Sequence, residues 1–276
     1  MSPTGRTISC CAWAIETPEA EALTRLHAMG LRAIDIRPSS LRSSTAQSRR
    51  AALGLDVCCV AASHELPEGA SLDSTDAAAV EAARRHIENA LTHAAACGAD
   101  CAYIVPQACV DANSLDRYAA VLPGLADHGA QLGVRLCIEH FPGSALPTVA
   151  ATLSFLRRLQ HANLYLLFDI GHAQMSQEDP RAALTAAGDR LGYVHLDDND
   201  GISDLHLALT DGVQTRQSLA DLFTVLDDVG YTGPVSLEMK SDLPDPADAI
   251  ERSLVTVQQL LKSNATDSQT DIEAGI

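Results

Sequence analysis

A closed (β/α)8 barrel in a single domain is the fold the sequence predicts, and three observations predict it. Short apolar runs recur along the chain, each followed by an Ala/Leu-rich segment with helical spacing. Eight such pairs can be counted, and eight strands with eight helices in about 250 residues is the count of this barrel. The first strand runs into Ala14-Ile15-Glu16-Thr17, without the glycine-rich phosphate turn that an open doubly wound sheet places there.

The elements follow in order. Thr7–Ala14 reads as the first strand and brings Trp13, the only tryptophan, to its end; Thr17-Pro18-Glu19 then supplies helix-start chemistry. Ala33–Arg37 is the second strand and Leu55–Ala62 the third, with His64 just after it in AASHELPEG. The next helix, Ser71–Ala96, holds the most regular run, DAAAVEAARRHIENALTHAAA, with Ser71 and Asp73 at its start. Cys101–Pro106 is the fourth strand and leads to Gln107. Val134–Glu139, Leu164–Asp169, Gly192–Leu196 and Pro234–Met239 complete the set, with Pro180 just inside the helix between the sixth and seventh. Residues 1–262 are read as the barrel, and 263–276, polar and aperiodic, as a disordered tail.

Composition narrows the function. Lys+Arg number 19 against 36 Asp+Glu, a formal charge of −17, so the long-range field repels phosphate backbones and anionic headgroups. Nucleic acid and membrane are therefore not expected as partners. Lys240 and Lys262 are the only lysines, and Arg84-Arg85 and Arg157-Arg158 read as solvated helix faces beside acids. Most of the eight cysteines fall inside apolar runs, where they read as small buried hydrophobes. With no secretory signal and no stretch near the ~18 apolar residues of a span, a soluble protein of a reducing cytoplasm is expected.

Chemistry concentrates at the carboxyl ends of the last four strands, where a barrel builds its active site. Strand five ends LCIEH (Glu139, His140), six LLFDIGH (Asp169, His172), seven YVHLDDND (His195, Asp197) and eight VSLEMK (Glu238, Lys240). Alternation puts Tyr165, Leu167 and Asp169 on one face, likewise Tyr193, His195 and Asp197, and Ser236, Glu238 and Lys240. If these faces point inward, Glu139, Asp169 and Glu238 meet with three negative charges in a partly dry volume, which calls for a cation. One divalent ion, Mn²⁺ first and Mg²⁺, Co²⁺ or Zn²⁺ as alternatives, suits a mixed carboxylate and imidazole set. Taken singly, each acid could equally be a solvated loop residue or a helix cap.

CIEH, FDIGHA, YVHLDDNDGISDLH and GYTGPVSLEMK, in this order and spacing, resemble the sugar phosphate isomerase/epimerase superfamily, the xylose-isomerase-like barrels. The resemblance is strongest from Val134 to Lys240. It implies that Glu139, Asp169, His195 and Glu238 bind one divalent metal, that His172 contacts a substrate oxygen, and that Glu139 and Glu238 form an acid/base pair on opposite faces of a sugar. Two departures stand out: the family turn H-x-P-L-G-x-G reads His206-Leu207-Ala208-Leu209-Thr210-Asp211-Gly212 here, and an arginine some epimerases carry after the strand-seven histidine is absent.

Lesser candidates keep two readings each. His64 and Gln107 could line the mouth as substrate ligands or be plain loop residues. Trp13 could wall a sugar ring or pack in the core. Lys240 could tune a glutamate, meet an anionic group or lie in solvent, and Arg37 is open in the same way. Asp204 and His206 could complete a second metal site or bond within their loop.

These observations point to a metal-dependent isomerase or epimerase of a small polyhydroxy ketone or sugar. The scarcity of basic residues near the mouth favours an unphosphorylated substrate. A dehydratase of an inosose- or dehydroshikimate-like substrate is the alternative. An apurinic-endonuclease-like zinc hydrolase is disfavoured by the charge and by Gln107 in place of a further histidine, and a non-catalytic barrel is the remaining class. The sequence neither requires nor excludes a homo-oligomer.

Overall fold

Parallel neighbours in a sheet cannot be joined by tight turns, so every strand of this chain needs a crossover, and helices provide it. The computed structural model describes residues 6–107 and 111–274. The strands are β1 Ile8–Cys10, β2 Ala33–Ile36, β3 Asp56–Ala61, β4 Cys101–Ile104, β5 Arg135–Glu139, β6 Leu164–Asp169, β7 Leu191–Leu196 and β8 Val235–Leu237. The helices are α1 Glu19–Ala28, α2 Ser44–Leu53, α3 Ala77–Cys97, α4 Ser114–Leu132, α5 Val149–Leu159, α6 Ile170–Met175, α7 Pro180–Ala187, α8 Arg216–Asp228 and α9 Pro246–Ala274.

All pairings are parallel, in the order β1-β8-β7-β6-β5-β4-β3-β2. One parallel bridge, Cys11 to Asp35, spans the remaining β1/β2 seam. The result is the single-domain (β/α)8 barrel that the sequence predicts. None of the helices among the described residues is long and apolar enough to cross a membrane.

Strand alternation sorts the core into two layers. Outward residues such as Ile34, Val60, Ile104, Ile138, Phe168 and Val194 pack against the helices in one large cluster. Inward residues form a smaller cluster of Cys59, Ala61, Cys101, Tyr103, Cys137, Leu167 and Tyr193, which plugs the barrel beneath its mouth. The seven cysteines among the described residues are free thiols, buried or half-buried.

Element ends differ from expectation in three places. The first strand stops at Cys10, because Cys11 donates its N–H to Leu237 O and its carbonyl accepts from Ala14, turning Ala12–Ala14 into a 3₁₀ turn that carries Trp13. The third helix begins at Ala77, not Ser71: Asp76 accepts from the Ala78 N–H as its cap, while Ser71 bonds Asp73 within the preceding turn. The last helix continues to Ala274, past Ser263, where the sequence suggests a tail.

The departure noted in the β7 loop has a backbone consequence. Thr210, exposed and β-branched, holds φ +75°, in the left-handed region that favours glycine. Such a conformation costs on the order of 1–3 kcal/mol, offset by the loop's other contacts.

Candidate metal centre and active site

Four polar side chains from β5, β6, β7 and the end of β8 converge at the mouth. Glu139, Asp169, His195 and Glu238 are all buried, and each offers a donor atom lying within 4.8 Å of the others. His195 Nδ1 is 3.5 Å from Glu139 Oε1, 3.8 Å from Asp169 Oδ2 and 2.6 Å from Glu238 Oε2. Glu139 Oε1, Asp169 Oδ2 and His195 Nδ1 are nevertheless without an aligned hydrogen bond. Three buried, unpartnered donors around one point are costly unless something else engages them, and this donor set fits a divalent ion.

The surroundings fix these groups. Asp169 caps α6, its Oδ1 accepting from the His172 N–H at 2.8 Å, while its own N–H donates to His140 Nε2 at 3.2 Å. Burial, with His172 beside it, pushes the His140 imidazole down to about 3, so it stays neutral and able to accept. Gly171 donates to Asp197 Oδ1 at 3.0 Å, and a Cβ at that position would fall 2.4 Å from the same oxygen, which explains the glycine in FDIGH. Gly212 is constrained in the same way: a Cβ there would meet Asn199 O at 2.0 Å.

Charge in the cluster is partly balanced by imidazolium. Burial works against protonation of His195, yet Glu238 and Glu139 raise its pKa well above the usual value. Burial likewise opposes the charge on His172, but Asp169, Asp204 and Glu139 hold it at about 10. The two glutamates are driven apart: burial raises Glu139 despite its histidine neighbours, whereas His195, His206 and His64 overcome burial and lower Glu238.

His172 borders this centre, with Nδ1 donating to the His140 carbonyl at 3.0 Å and Nε2 buried without a hydrogen bond, 3.5 Å from Asp204 Oδ1. Asp204 Oδ1 is 2.9 Å from His206 Nε2, and His206 Nδ1 donates to the Glu238 carbonyl at 3.0 Å, tying the β7 loop to β8. His172, Asp204 and His206 thus form a second group with metal-ligand spacing. Lys240 is drawn into that loop, its Nζ bonding the Asp204 carbonyl oxygen.

On the opposite side, His64 and Trp13 stand together, ring centroids 5.5 Å apart, and His64 Nε2 is 3.5 Å from the Tyr103 hydroxyl. The Tyr103 ring in turn meets His195 edge-on at 5.2 Å. Gln107 is exposed, and its carbonyl accepts from the Ala145 N–H at 2.9 Å.

Sequence reasoning missed Asp35. It is fully buried on the interior of β2, with Oδ1 accepting from Ser9 Oγ and Tyr193 Oη, both at 2.7 Å. Its Oδ2 lacks a hydrogen bond and faces His195 Nε2 at 3.8 Å. A carboxylate behind an imidazole whose other nitrogen faces a metal fixes the ring's tautomer and raises its basicity. An acid inside the apolar run AIDI was the available signal. Asp35→Asn is expected to weaken Mn²⁺ binding about 10- to 100-fold in calorimetric titration, with Tm little changed; unaltered affinity would remove Asp35 from this role.

Comparisons with known proteins bear on this geometry. The sequence description of one family, the xylose isomerase-like TIM barrel, matches residues 23–259. The chain is similar to an L-ribulose 3-epimerase of Methylomonas sp. (strain DH-1), 30% identical over 131 residues, which are 46% of this chain and 43% of that protein. It is also similar to an inosose dehydratase of Erwinia tasmaniensis, 29% identical over 147 residues, 47% of this chain and 49% of that protein. The chain spans about half the length of the curated relatives it matches. The crystal structure of a D-allulose 3-epimerase from Methylomonas sp. in complex with D-allulose shares the fold at TM-score 0.79 and 18% identity, over 92% of this chain and 96% of that one.

Proposed function

We propose, on the premise that this chain belongs to the xylose isomerase-like TIM barrel family, that it is a divalent-metal-dependent isomerase or epimerase of a small polyhydroxy ketone. The observation that carries this is the convergence of Glu139, Asp169, His195 and Glu238, the first three with buried donor atoms that lack an aligned hydrogen bond. These four residues would hold the ion, Mn²⁺ first among the candidates. A divalent ion bound there supplies Lewis acidity, lowering the cost of negative charge on a neighbouring carbonyl oxygen by several kcal/mol.

The chain's own groups do the rest. Glu238 is the proton acceptor at the carbon beside the carbonyl: a divalent ion held at this cluster would keep it a carboxylate, and His206 and His64 favour the same state. Glu139, whose carboxyl is raised by burial, returns a proton from its own side. His172, cationic and with an Nε2 that lacks an aligned hydrogen bond, donates to a substrate oxygen as charge develops there. Trp13 and His64 wall the opposite side and exclude water.

The similarity to inosose dehydratases favours a second outcome from the same proton abstraction, expulsion of a β-hydroxyl. Incubation of a ketose and inosose panel in D₂O separates these. Deuterium entering beside the carbonyl with a new epimer or isomer supports the first reading, a conjugated-enone absorbance the second, and no exchange on any substrate with metal-loaded protein rejects both.

A further inference from the structure

In a chain of net charge −17, several arginines are paired with acids, Arg6 with Asp227, Arg84 with Glu81 and Glu88, Arg135 with Asp100, Arg252 with Asp211 and Asp248, and others such as Arg50 and Arg190 with backbone carbonyls. Arg37 differs. Its Nε is buried without a hydrogen bond, and its guanidinium lies over the Trp13 ring, 5.3 Å from the centroid, with no carboxylate paired to it among the described residues.

Its position gives that cation a purpose. Arg37 follows β2 two residues after Asp35, so alternation returns it to the interior side about 7 Å nearer the mouth. Asp35 itself lies 3.8 Å from His195. Trp13, under the guanidinium, meets His64, and His64 meets Tyr103 beside His195, so Arg37 belongs to the wall of the same site.

We propose that Arg37 recognises a carboxylate at the far end of the substrate, which makes that substrate a small keto sugar acid, not a neutral ketose. This rests on the function proposed above and specifies its substrate class. A guanidinium presents a planar pair of donors matched to a carboxylate, and a partly buried, stacked guanidinium is already oriented. A monoanion fits better than a phosphate. Glu139, Glu238 and Asp204 surround the site, and Lys240, the lysine near the mouth, is already bonded to the Asp204 loop. One guanidinium does not offset a dianion there.

Trp13, the sole tryptophan, reports the event directly through its fluorescence. Metal-loaded protein is titrated with matched panels: the neutral ketohexoses, their ketouronic acids, and their 6-phosphates. At least one ketouronic acid is expected to bind about 10- to 100-fold more tightly than its neutral partner, the size of a charge-assisted hydrogen bond. In Arg37→Gln that ratio should fall to near unity, in Arg37→Lys it should survive in part, and Mn²⁺ affinity should be unchanged in both. The proposal is overturned if neutral ketoses bind as tightly as the acids, if the preference survives in Arg37→Gln, if phosphates bind more tightly than carboxylates, or if no acid perturbs Trp13 at millimolar concentration. Deuterium exchange on the same panel tests the parent reading separately. Exchange confined to neutral ketoses removes Arg37 but keeps the isomerase, whereas selective acid binding without any exchange keeps Arg37 and removes the isomerase.

Discussion

Glu238→Gln is expected to slow deuterium exchange beside the substrate carbonyl by about 10²–10⁴, the usual worth of a positioned general base. The amide keeps the size and one oxygen of the carboxylate but cannot take up a proton at neutral pH. Glu139→Gln should differ in kind. The acceptor on the other side remains, so part of the exchange persists while epimer or isomer formation falls by a similar factor. This asymmetry follows from the proposed roles, Glu238 accepting the proton and Glu139 returning one from the other side. Both variants must be assayed with Mn²⁺ at saturation, established by titration, because both side chains belong to the converging set. Full exchange in Glu238→Gln would overturn the assignment of the base, and equal loss of exchange in the two variants would overturn the division of labour.

Ion-free protein is expected to gain about 3–4 kcal/mol of stability when Mn²⁺ is supplied at 100–1,000 times its dissociation constant, if the ion binds the folded state alone. At roughly 2–4 °C per kcal/mol for a chain of this size, Tm rises by about 5–15 °C, and EDTA reverses the change. The pH dependence has a definite sign. His195 is held protonated by Glu238 and Glu139 against its burial, and an ion that takes its lone pair must displace that proton. Affinity therefore falls as pH falls, by up to about tenfold per unit for each proton released. Calorimetry in buffers of different ionisation enthalpy counts those protons. A Tm indifferent to Mn²⁺, Mg²⁺, Co²⁺ and Zn²⁺ alike would exclude the metal centre.

The fold was legible because each strand is a short apolar run of roughly the length a barrel uses, bounded by turn residues, and all eight appear close to where the sequence puts them. The convergence of Glu139, Asp169, His195 and Glu238 was legible for a related reason: alternation sends the polar residue at each strand's end inward, and four consecutive strands carry one. Local ends were harder. Ser71 and Asp73 look as good a helix cap as Asp76, and only the bond from the Ala78 N–H decides between them. Trp13 sits in a turn made by contacts with β8, which no local pattern encodes. Asp35 went unread, and the sequence leaves Arg37 open between an anionic partner and solvent. Asp35 lies in an apolar tetrapeptide, where its partners Ser9, Tyr193 and His195 come from distant strands. For Arg37, a shortage of cations in the chain as a whole says nothing about where one without a paired carboxylate is placed.

One bridge, Cys11 to Asp35, joins β1 to β2, and Asp35 also stands behind His195. Where a ring is held by its weakest joint, fluctuations begin at that joint. The Asp35 side chain also accepts the Ser9 hydroxyl of the first strand, so pulling the histidine into place draws the first and second staves together, and parting them slackens the grip on whatever the histidine holds.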